Sequence, residues 1–231
     1  MFFSFFDNEY VAIIGDIIDS KKLNKNDRKI IQNKLKETLD YINERYQDSI
    51  ASKFMIALGD EFQGLLREQN DIINIVNEIQ VAMFPIKIRF GVGIGTINTD
   101  INFNNSVEID GPAYNLAREM IEVLRKKKNQ YGEFYSEIML CSGIKNKEFD
   151  TLINSIFSVC SVLKNSWSKR QMEIITTFIE QGYNQYKAAE TLKITQSSVN
   201  RALKISNYYT YKAAIKNIEY FFNLERGKVN D

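Results

Sequence analysis

The chain has 231 residues, of which 44% are hydrophobic and 26% charged, so it is long enough to bury a sizeable core. It contains no histidine, which excludes Ser-His-Asp and Cys-His catalysis and any metal site that needs imidazole. Its two cysteines, Cys141 and Cys160, are too few for a zinc cluster and indicate a reducing cytoplasm. Carboxylates, Lys, Arg, hydroxyls, amides and backbone groups remain for polar chemistry, and for an enzyme of this composition the natural cofactor is a divalent metal held by oxygen.

The net charge of +1 hides an asymmetry between two parts of the chain. Residues 1–165 carry 20 Lys and Arg against 23 Asp and Glu, whereas residues 166–231 carry 10 against 6. An acidic first part and a basic tail indicate a catalytic or sensory domain followed by a nucleic-acid-binding module. The apolar start lacks a basic region and no apolar run approaches a membrane span, so we expect neither a signal peptide nor membrane insertion.

Hydrophobic periodicity predicts five strands and three helices in the first part of the chain. The strands fall at 10–15, 52–58, 62–66, 86–96 and 134–140, and the helices at 26–46, 71–83 and 110–128. This β-α-β-β-α-β-α-β order predicts a ferredoxin-like α+β fold, an antiparallel-containing sheet with helices on one face. Three glycines in the fourth strand, Gly91, Gly93 and Gly95, indicate close packing against another backbone or a ligand.

The tail has the pattern of a small all-α domain. After a connecting helix at 148–163, helices are predicted at 169–181, 184–192, 195–205 and 208–224. The third of these begins at Thr195, a favoured N-cap residue, and the arrangement indicates a helix-turn-helix. Side chains that could contact DNA bases or phosphates from it are Gln196, Ser197, Asn200, Arg201 and Lys204. The alternative is a helical protein-interaction domain. The predicted domains are therefore 1–145, a connecting helix at 146–165, and 166–231.

Two carboxylates occupy positions typical of a metal site. Asp16 ends the first predicted strand and Asp60 lies in the turn of the hairpin between the second and third. These strands are neighbours in a ferredoxin-like sheet, so we expect the two side chains to converge and hold Mg²⁺ or Mn²⁺ against a polyphosphate. Taken singly, each Asp is better explained as a turn or capping residue, for which Asp is favoured.

The motifs around these residues resemble the nucleotide cyclases. Leu58-Gly-Asp-Glu-Phe62 resembles the GGDEF signature of diguanylate cyclases, and Gly15-Asp-Ile-Ile-Asp19 resembles the first metal-binding strand of class III cyclases. Gly111-Pro-Ala-Tyr-Asn-Leu-Ala-Arg118 is similar to the stretch that opens a cyclase helix. The resemblance covers roughly residues 8–142. Together with the tail, the whole chain resembles the SatD family of small bacterial proteins.

The cyclase resemblance implies a role for each matching position. Asp16 and Asp60 would be metal ligands beside the Ile17 carbonyl, and they would be catalytic together with Arg118, which would approach the phosphates. The remaining nucleotide-binding positions would be Glu61 in the turn, Glu108 near the base and Asn115 at the ribose. In an active enzyme, a 3′-hydroxyl would attack the α-phosphorus of a nucleoside triphosphate and expel pyrophosphate. The resemblance also implies a homodimer.

The sequence also departs from the cyclase pattern. Arg118 follows Asn115 by three residues, whereas cyclases place their arginine four residues on, where this chain has Glu119. Ile56 replaces the lysine that reads adenine, and Leu58 replaces the first glycine of GGDEF. Three hypotheses therefore stay open: an enzyme, a nucleotide sensor without turnover, and a DNA-binding regulator whose first domain only dimerises. In all three the protein is expected in the cytoplasm with double-stranded DNA as a partner.

Overall fold

A computed structural model describes residues 9–130, 136–143 and 146–226. The strands are β1 (Tyr10–Ile17), β2 (Ile50–Leu58), β3 (Glu61–Leu66), β4 (Ile88–Gly95) and β5 (Ile138–Cys141). The helices are α1 (Lys25–Arg45), α2 (Ile72–Met83), α3 (Pro112–Gln130), α4 (Lys147–Asn165), α5 (Lys169–Glu180), α6 (Gln185–Leu192), α7 (Gln196–Ile205) and α8 (Tyr208–Arg226). One-turn 3₁₀ helices occur at Ser20–Lys22 and Ser106–Glu108. Within this part of the chain, no helix is long and apolar enough to cross a bilayer.

The five strands form one sheet in the order β2-β3-β1-β4-β5. β1 is central and antiparallel to both β3 and β4, while β5 joins the edge parallel to β4. The first four strands therefore have the ferredoxin-like order that the sequence predicted, with β5 as a fifth strand. Two residues of the predicted fifth strand, Phe134 and Tyr135, lie outside the described residues.

Helices cover both faces of the sheet, so the prediction that they lie on one face is wrong. Odd-numbered residues of β1, such as Ile13, pack with α1, α2 and α4 in the larger core. Even-numbered residues, such as Ala12 and Ile14, pack with Ala113, Tyr114 and Ala117 of α3 on the other face. Both faces of β1 are apolar, so its sequence lacks the alternation that would have indicated which face is covered.

The glycines of β4 bring α3 unusually close to the sheet. A Cβ atom on Gly91 or Gly93 would lie 2.1 Å or 2.0 Å from the main-chain oxygens of Ala117 and Ala113. Only glycine leaves room for a helix backbone at this distance. Of the two explanations that the sequence left open, close packing against another backbone is the one observed, and it sets the height of α3 above the end of β1.

Helices α5, α6 and α7 and the start of α8 form a small bundle with its own core, which we call the helical unit. Ser168 caps α5 in a reciprocal capping box with Gln171, and Thr195 caps α7. Further along α8, Ile215, Ile218 and Phe222 are buried in the larger core of the sheet. Helix α8 therefore belongs to both cores. It holds the helical unit against the sheet β1–β5 with its helices α1–α4, which we call the α/β unit.

Candidate functional site

The carboxylate of Asp16 lies buried at the end of β1, on the face covered by α3. Its residue is 5% exposed, and it is flanked across the sheet by Glu61 of β3 and Arg89 of β4. Arg89 Nη1 donates to Asp16 Oδ2 at 2.9 Å. From α3, Arg125 Nη2 donates to Asp16 Oδ1 at 2.9 Å. Two guanidinium groups therefore satisfy both carboxylate oxygens and neutralise the buried charge.

Asp60 lies next to this cluster and has a different partner. Its main-chain oxygen accepts from Ile17 N at 3.3 Å, which ties the hairpin turn to the end of β1. Its carboxylate accepts a hydrogen bond from the hydroxyl of Ser20, in the first 3₁₀ helix. Leu58 is 80% exposed, so its side chain points to solvent and does not fill the space beside Asp60.

The pKa of Glu61 depends on its burial and on the charges around it. Its pKa is raised from the ordinary value, first because the carboxyl is partly buried and also because Asp16 and Asp60 are nearby. The positive charges of Arg125 and Arg118 act in the opposite direction. Arg125 Nη2 lies 3.6 Å from Glu61 Oε2. The raised pKa therefore shows that burial outweighs the neighbouring arginines.

Three polar residues early in α3, Asn115, Arg118 and Glu119, are exposed. Burial raises the pKa values of Glu61 and Tyr114 and the charge of Arg118 partly offsets that rise, whereas the charge of Glu119 adds to the rise that burial causes in the pKa of Cys141 in β5. Arg118, and not Glu119, therefore faces the carboxylates. Among the described residues, Asn115 and Arg118 have no side-chain partner, and both are exposed.

Glu108 lies in the second 3₁₀ helix, which is fixed over the same face of the sheet. Ser106 Oγ donates to the main-chain oxygen of Gln63 at 3.1 Å, and Gln63 Nε2 donates to the main-chain oxygen of Ser106 at 2.6 Å. Gln63 is two residues from Glu61, so both side chains lie on one face of β3. Glu108 is exposed and accepts from Asn102 Nδ2 at 3.1 Å.

The fit of a divalent metal at this cluster depends on which of its oxygens are free. Carboxylates and a nearby main-chain oxygen have the right chemistry for Mg²⁺ or Mn²⁺. The arrangement does not fit, because each oxygen of Asp16 already accepts from a guanidinium group, and a cation there would meet two positive charges. Among the described residues, no group of three or more Asp, Glu or Cys side chains is placed to hold a metal. Asp16 and Asp60 as metal ligands stay predictions.

Two of the side chains that organise the site, Arg89 and Arg125, were not predicted from the sequence. Arg89 is the one charged residue in an otherwise apolar strand, which was the available signal. Its partner depends on the register between β1 and β4, and the sequence does not give that register. Arg125 is followed by three lysines, and a basic cluster in the last turn of a helix is typical of residues that complement the helix dipole. In the structure Arg125 instead reaches the end of β1.

Helix α7 presents most of its predicted DNA-contacting residues to solvent. Ser197, Arg201 and Lys204 are exposed, while Val199 and Leu203 anchor the opposite side of the helix in the bundle core. Gln196 and Asn200 are partly buried, and Gln196 Nε2 donates to Gln185 Oε1 at 2.6 Å. The exposed face is therefore polar and positively charged.

The strand order and the register define the class of protein: a ferredoxin-like α+β domain with a fifth strand parallel to its neighbour, followed by helices. The model of the SatD family matches residues 10–219, so the chain belongs to the SatD family. No curated protein matched the sequence.

Solved structures with a similar chain path include nucleotide cyclase domains. One is the guanylyl cyclase domain of the RhoGC fusion protein from the fungus Blastocladiella emersonii, with 19% identity, a TM-score of 0.38, and coverage of 49% of this chain and 72% of that one. Another is a bacterial light-regulated adenylyl cyclase, with 15% identity, a TM-score of 0.39, and coverage of 61% and 79%. A third is the adenylyl cyclase CyaB from P. aeruginosa, with 16% identity, a TM-score of 0.37, and coverage of 64% and 81%. These scores are low, and the fold assignment rests on strand order and register.

Proposed function

We propose that this SatD-family chain is a cytoplasmic regulator that binds a nucleotide on the α3 face of its sheet and DNA through α7. The observation that carries the nucleotide part is a pair of exposed side chains on α3, Asn115 and Arg118, which lie one turn apart and have no side-chain partner in the described ranges. Arg118 lies near Glu61 of the Asp16–Asp60–Glu61 cluster. An exposed arginine without a carboxylate partner is ready to bind phosphate.

Each neighbouring side chain then has a role in holding the nucleotide. Arg118 contacts the phosphates and Asn115 the ribose, while Glu108, on the 3₁₀ helix over β3, accepts from the base. Asp16, Asp60 and the Ile17 carbonyl define the end of the pocket beneath the phosphates. Because Arg89 and Arg125 neutralise Asp16, the phosphates meet a site with little net negative charge. We therefore favour binding without turnover, and homodimerisation belongs to the same proposal.

Calorimetric titration of the purified chain with ATP and with GTP tests the nucleotide site. We expect binding of at least one of them, and Arg118→Met should weaken it at least tenfold by removing the phosphate contact. The matched control is Arg67→Met, which removes an exposed arginine from the other end of β3. Absence of binding, or equal affinity of Arg118→Met and the parent chain, would contradict the proposal.

The same titration distinguishes a sensor from a metal-dependent enzyme. For a sensor, affinity in EDTA equals affinity in Mg²⁺ or Mn²⁺, and no pyrophosphate is released from either nucleotide. Pyrophosphate release with Mn²⁺ that Asp60→Asn abolishes would instead support the cyclising enzyme, with Asp16, Asp60 and Arg118 as its catalytic residues and a divalent metal as its cofactor.

The observation that supports DNA binding is the exposed basic and polar face of α7. Gel-shift titration with mixed-sequence duplex DNA should give binding that weakens with salt. Arg201→Met with Lys204→Met should reduce the slope of log affinity against log salt by about 1 for each lost phosphate contact. The control pair is Lys29→Met with Lys36→Met on the exposed side of α1. Equal slopes for the two pairs would favour a protein-interaction domain.

A further inference from the structure

A cavity lies where the helical unit meets the α/β unit. Its volume is about 850 Å³, and α2 and α4 line it on one side while α5 and α8 line it on the other. Helix α2 packs on the sheet face opposite the one that Asp16 faces, so this cavity is separate from the site on the α3 face. Its volume is in the range of small-molecule binding sites.

Aromatic side chains form much of its wall, and two of them have unusual features. Tyr211 lines the cavity, its pKa is raised by burial, and its hydroxyl has no hydrogen-bond partner within the described part of the chain. Tyr183 occupies the left-handed region with a φ of 63°, which is rare for a large side chain. Its ring lies at the cavity wall, edge-on to Phe178. Trp167, the single tryptophan of the chain, also lines it.

Basic side chains outnumber acidic ones in the cavity wall. Six basic and four acidic side chains line it. Two of the acids are already paired, since Glu137 accepts from Lys164 at 2.7 Å and Glu78 from Arg45 at 3.2 Å.

Two lysines one turn apart on α8 carry the excess of positive charge. Lys212 Nζ lies 3.4 Å from the centre of the Tyr183 ring, and Lys216 is one turn further along the helix. In the described ranges, no carboxylate lies within ion-pair distance of either lysine. Burial and the charge of Lys216 lower the pKa of Lys212. Like charges at this spacing destabilise a helix unless an anion joins them.

We propose that this junction cavity binds a small aromatic anion, with its ring against Trp167, Tyr183 and Tyr211 and its charged group between Lys212 and Lys216. The unpartnered Tyr211 hydroxyl donates to the same ligand. Because the cavity is lined by α2 on one side and by α5 and α8 on the other, a bound ligand connects the helical unit to the helices on the sheet.

Fluorescence of the single tryptophan provides the test. The probe is 1-anilinonaphthalene-8-sulfonate, a flat aromatic anion that accepts energy from tryptophan, and the comparison probe is N-phenyl-1-naphthylamine, the same ring system without the sulfonate. We expect one sulfonate probe per chain with energy transfer from Trp167, and at least tenfold weaker binding of the neutral probe.

Variants separate this site from general hydrophobic binding. Lys212→Met with Lys216→Met should weaken the sulfonate probe at least fivefold and leave the neutral probe unchanged, which also shows that the variant is folded. Lys29→Met with Lys36→Met removes the same charge elsewhere and should change neither. Equal binding of the two probes, absent energy transfer, or a lysine pair without effect would overturn the proposal. Nucleotide binding through Arg118 is measured separately, so either proposal can fail alone.

Discussion

The sheet face covered by α1 and α2 and the face covered by α3 differ in how closely a helix backbone approaches the strands. The first packs large apolar residues such as Phe62 and Phe90, which meet edge-to-face at 6.0 Å. The second also buries a large side chain, Tyr114, but Ala113 and Ala117 lie over the glycines of β4 and let the backbone of α3 approach the strands. The difference teaches that burial of large side chains stabilises the fold on one face, while close backbone packing on the other positions polar groups around Asp16.

The largest expected loss of stability lies on the α1–α2 face. Phe62→Ala should lower the free energy of unfolding by about 4 kcal/mol, because the fully buried ring leaves a cavity. A Cβ on Gly15 would lie 2.1 Å from the Phe62 ring, so Gly15→Ala should cost much less in the Phe62→Ala background. Urea denaturation of the four chains measures this, and additive effects would contradict the packing described.

A smaller loss is expected on the α3 face from adding one carbon atom. Gly93→Ala should lower the free energy of unfolding by about 3 kcal/mol, since the new Cβ would overlap the main-chain oxygen of Ala113. Gly95→Ala is the matched control on the same strand, because its Cβ would approach no atom closer than 3.2 Å. Equal denaturation midpoints for the two variants would break the comparison between the faces.

Removing the buried charge at the end of β1 should lower the free energy of unfolding by less than either of these substitutions. Asp16→Asn should lower the free energy of unfolding by about 2 kcal/mol, because Arg89 is left without its carboxylate while Arg125 can turn to solvent. Asp40→Asn, on the exposed side of α1, serves as the control. If Asp16 and Arg125 are coupled, Arg125→Met should cost less in the Asp16→Asn background, and thermal denaturation of the double variant checks this.

Much of this architecture could be predicted from local patterns, but the partners at the site could not. The apolar run at Tyr10 and the alternation in β4 are local signals and placed both strands correctly. The contact between Arg125 and Asp16 joins residues 109 positions apart and depends on where α3 lies over the sheet. That position follows from the glycines of β4, whose sequence was equally compatible with a bound ligand.

The smallest effect is a pH dependence at Glu61. Burial raises its pKa above the ordinary value of 4.5, so the folded chain prefers the neutral carboxyl. The stability this contributes is fully present below pH 4.5 and is lost as the pH rises through the raised pKa. Glu61→Gln should therefore unfold at a higher temperature than the parent chain at pH 7, with the difference reversing or vanishing at acidic pH. A constant difference across the range would contradict this.

Hydrogen exchange of the whole chain, with and without saturating nucleotide, tests the central claim that the α3 face holds the nucleotide. We expect slower exchange in the hairpin turn around Asp60 and in the first turns of α3 around Asn115, and unchanged exchange in α8. Protection confined to α5 and α8, or no protection anywhere, would contradict the assignment of the nucleotide to this face.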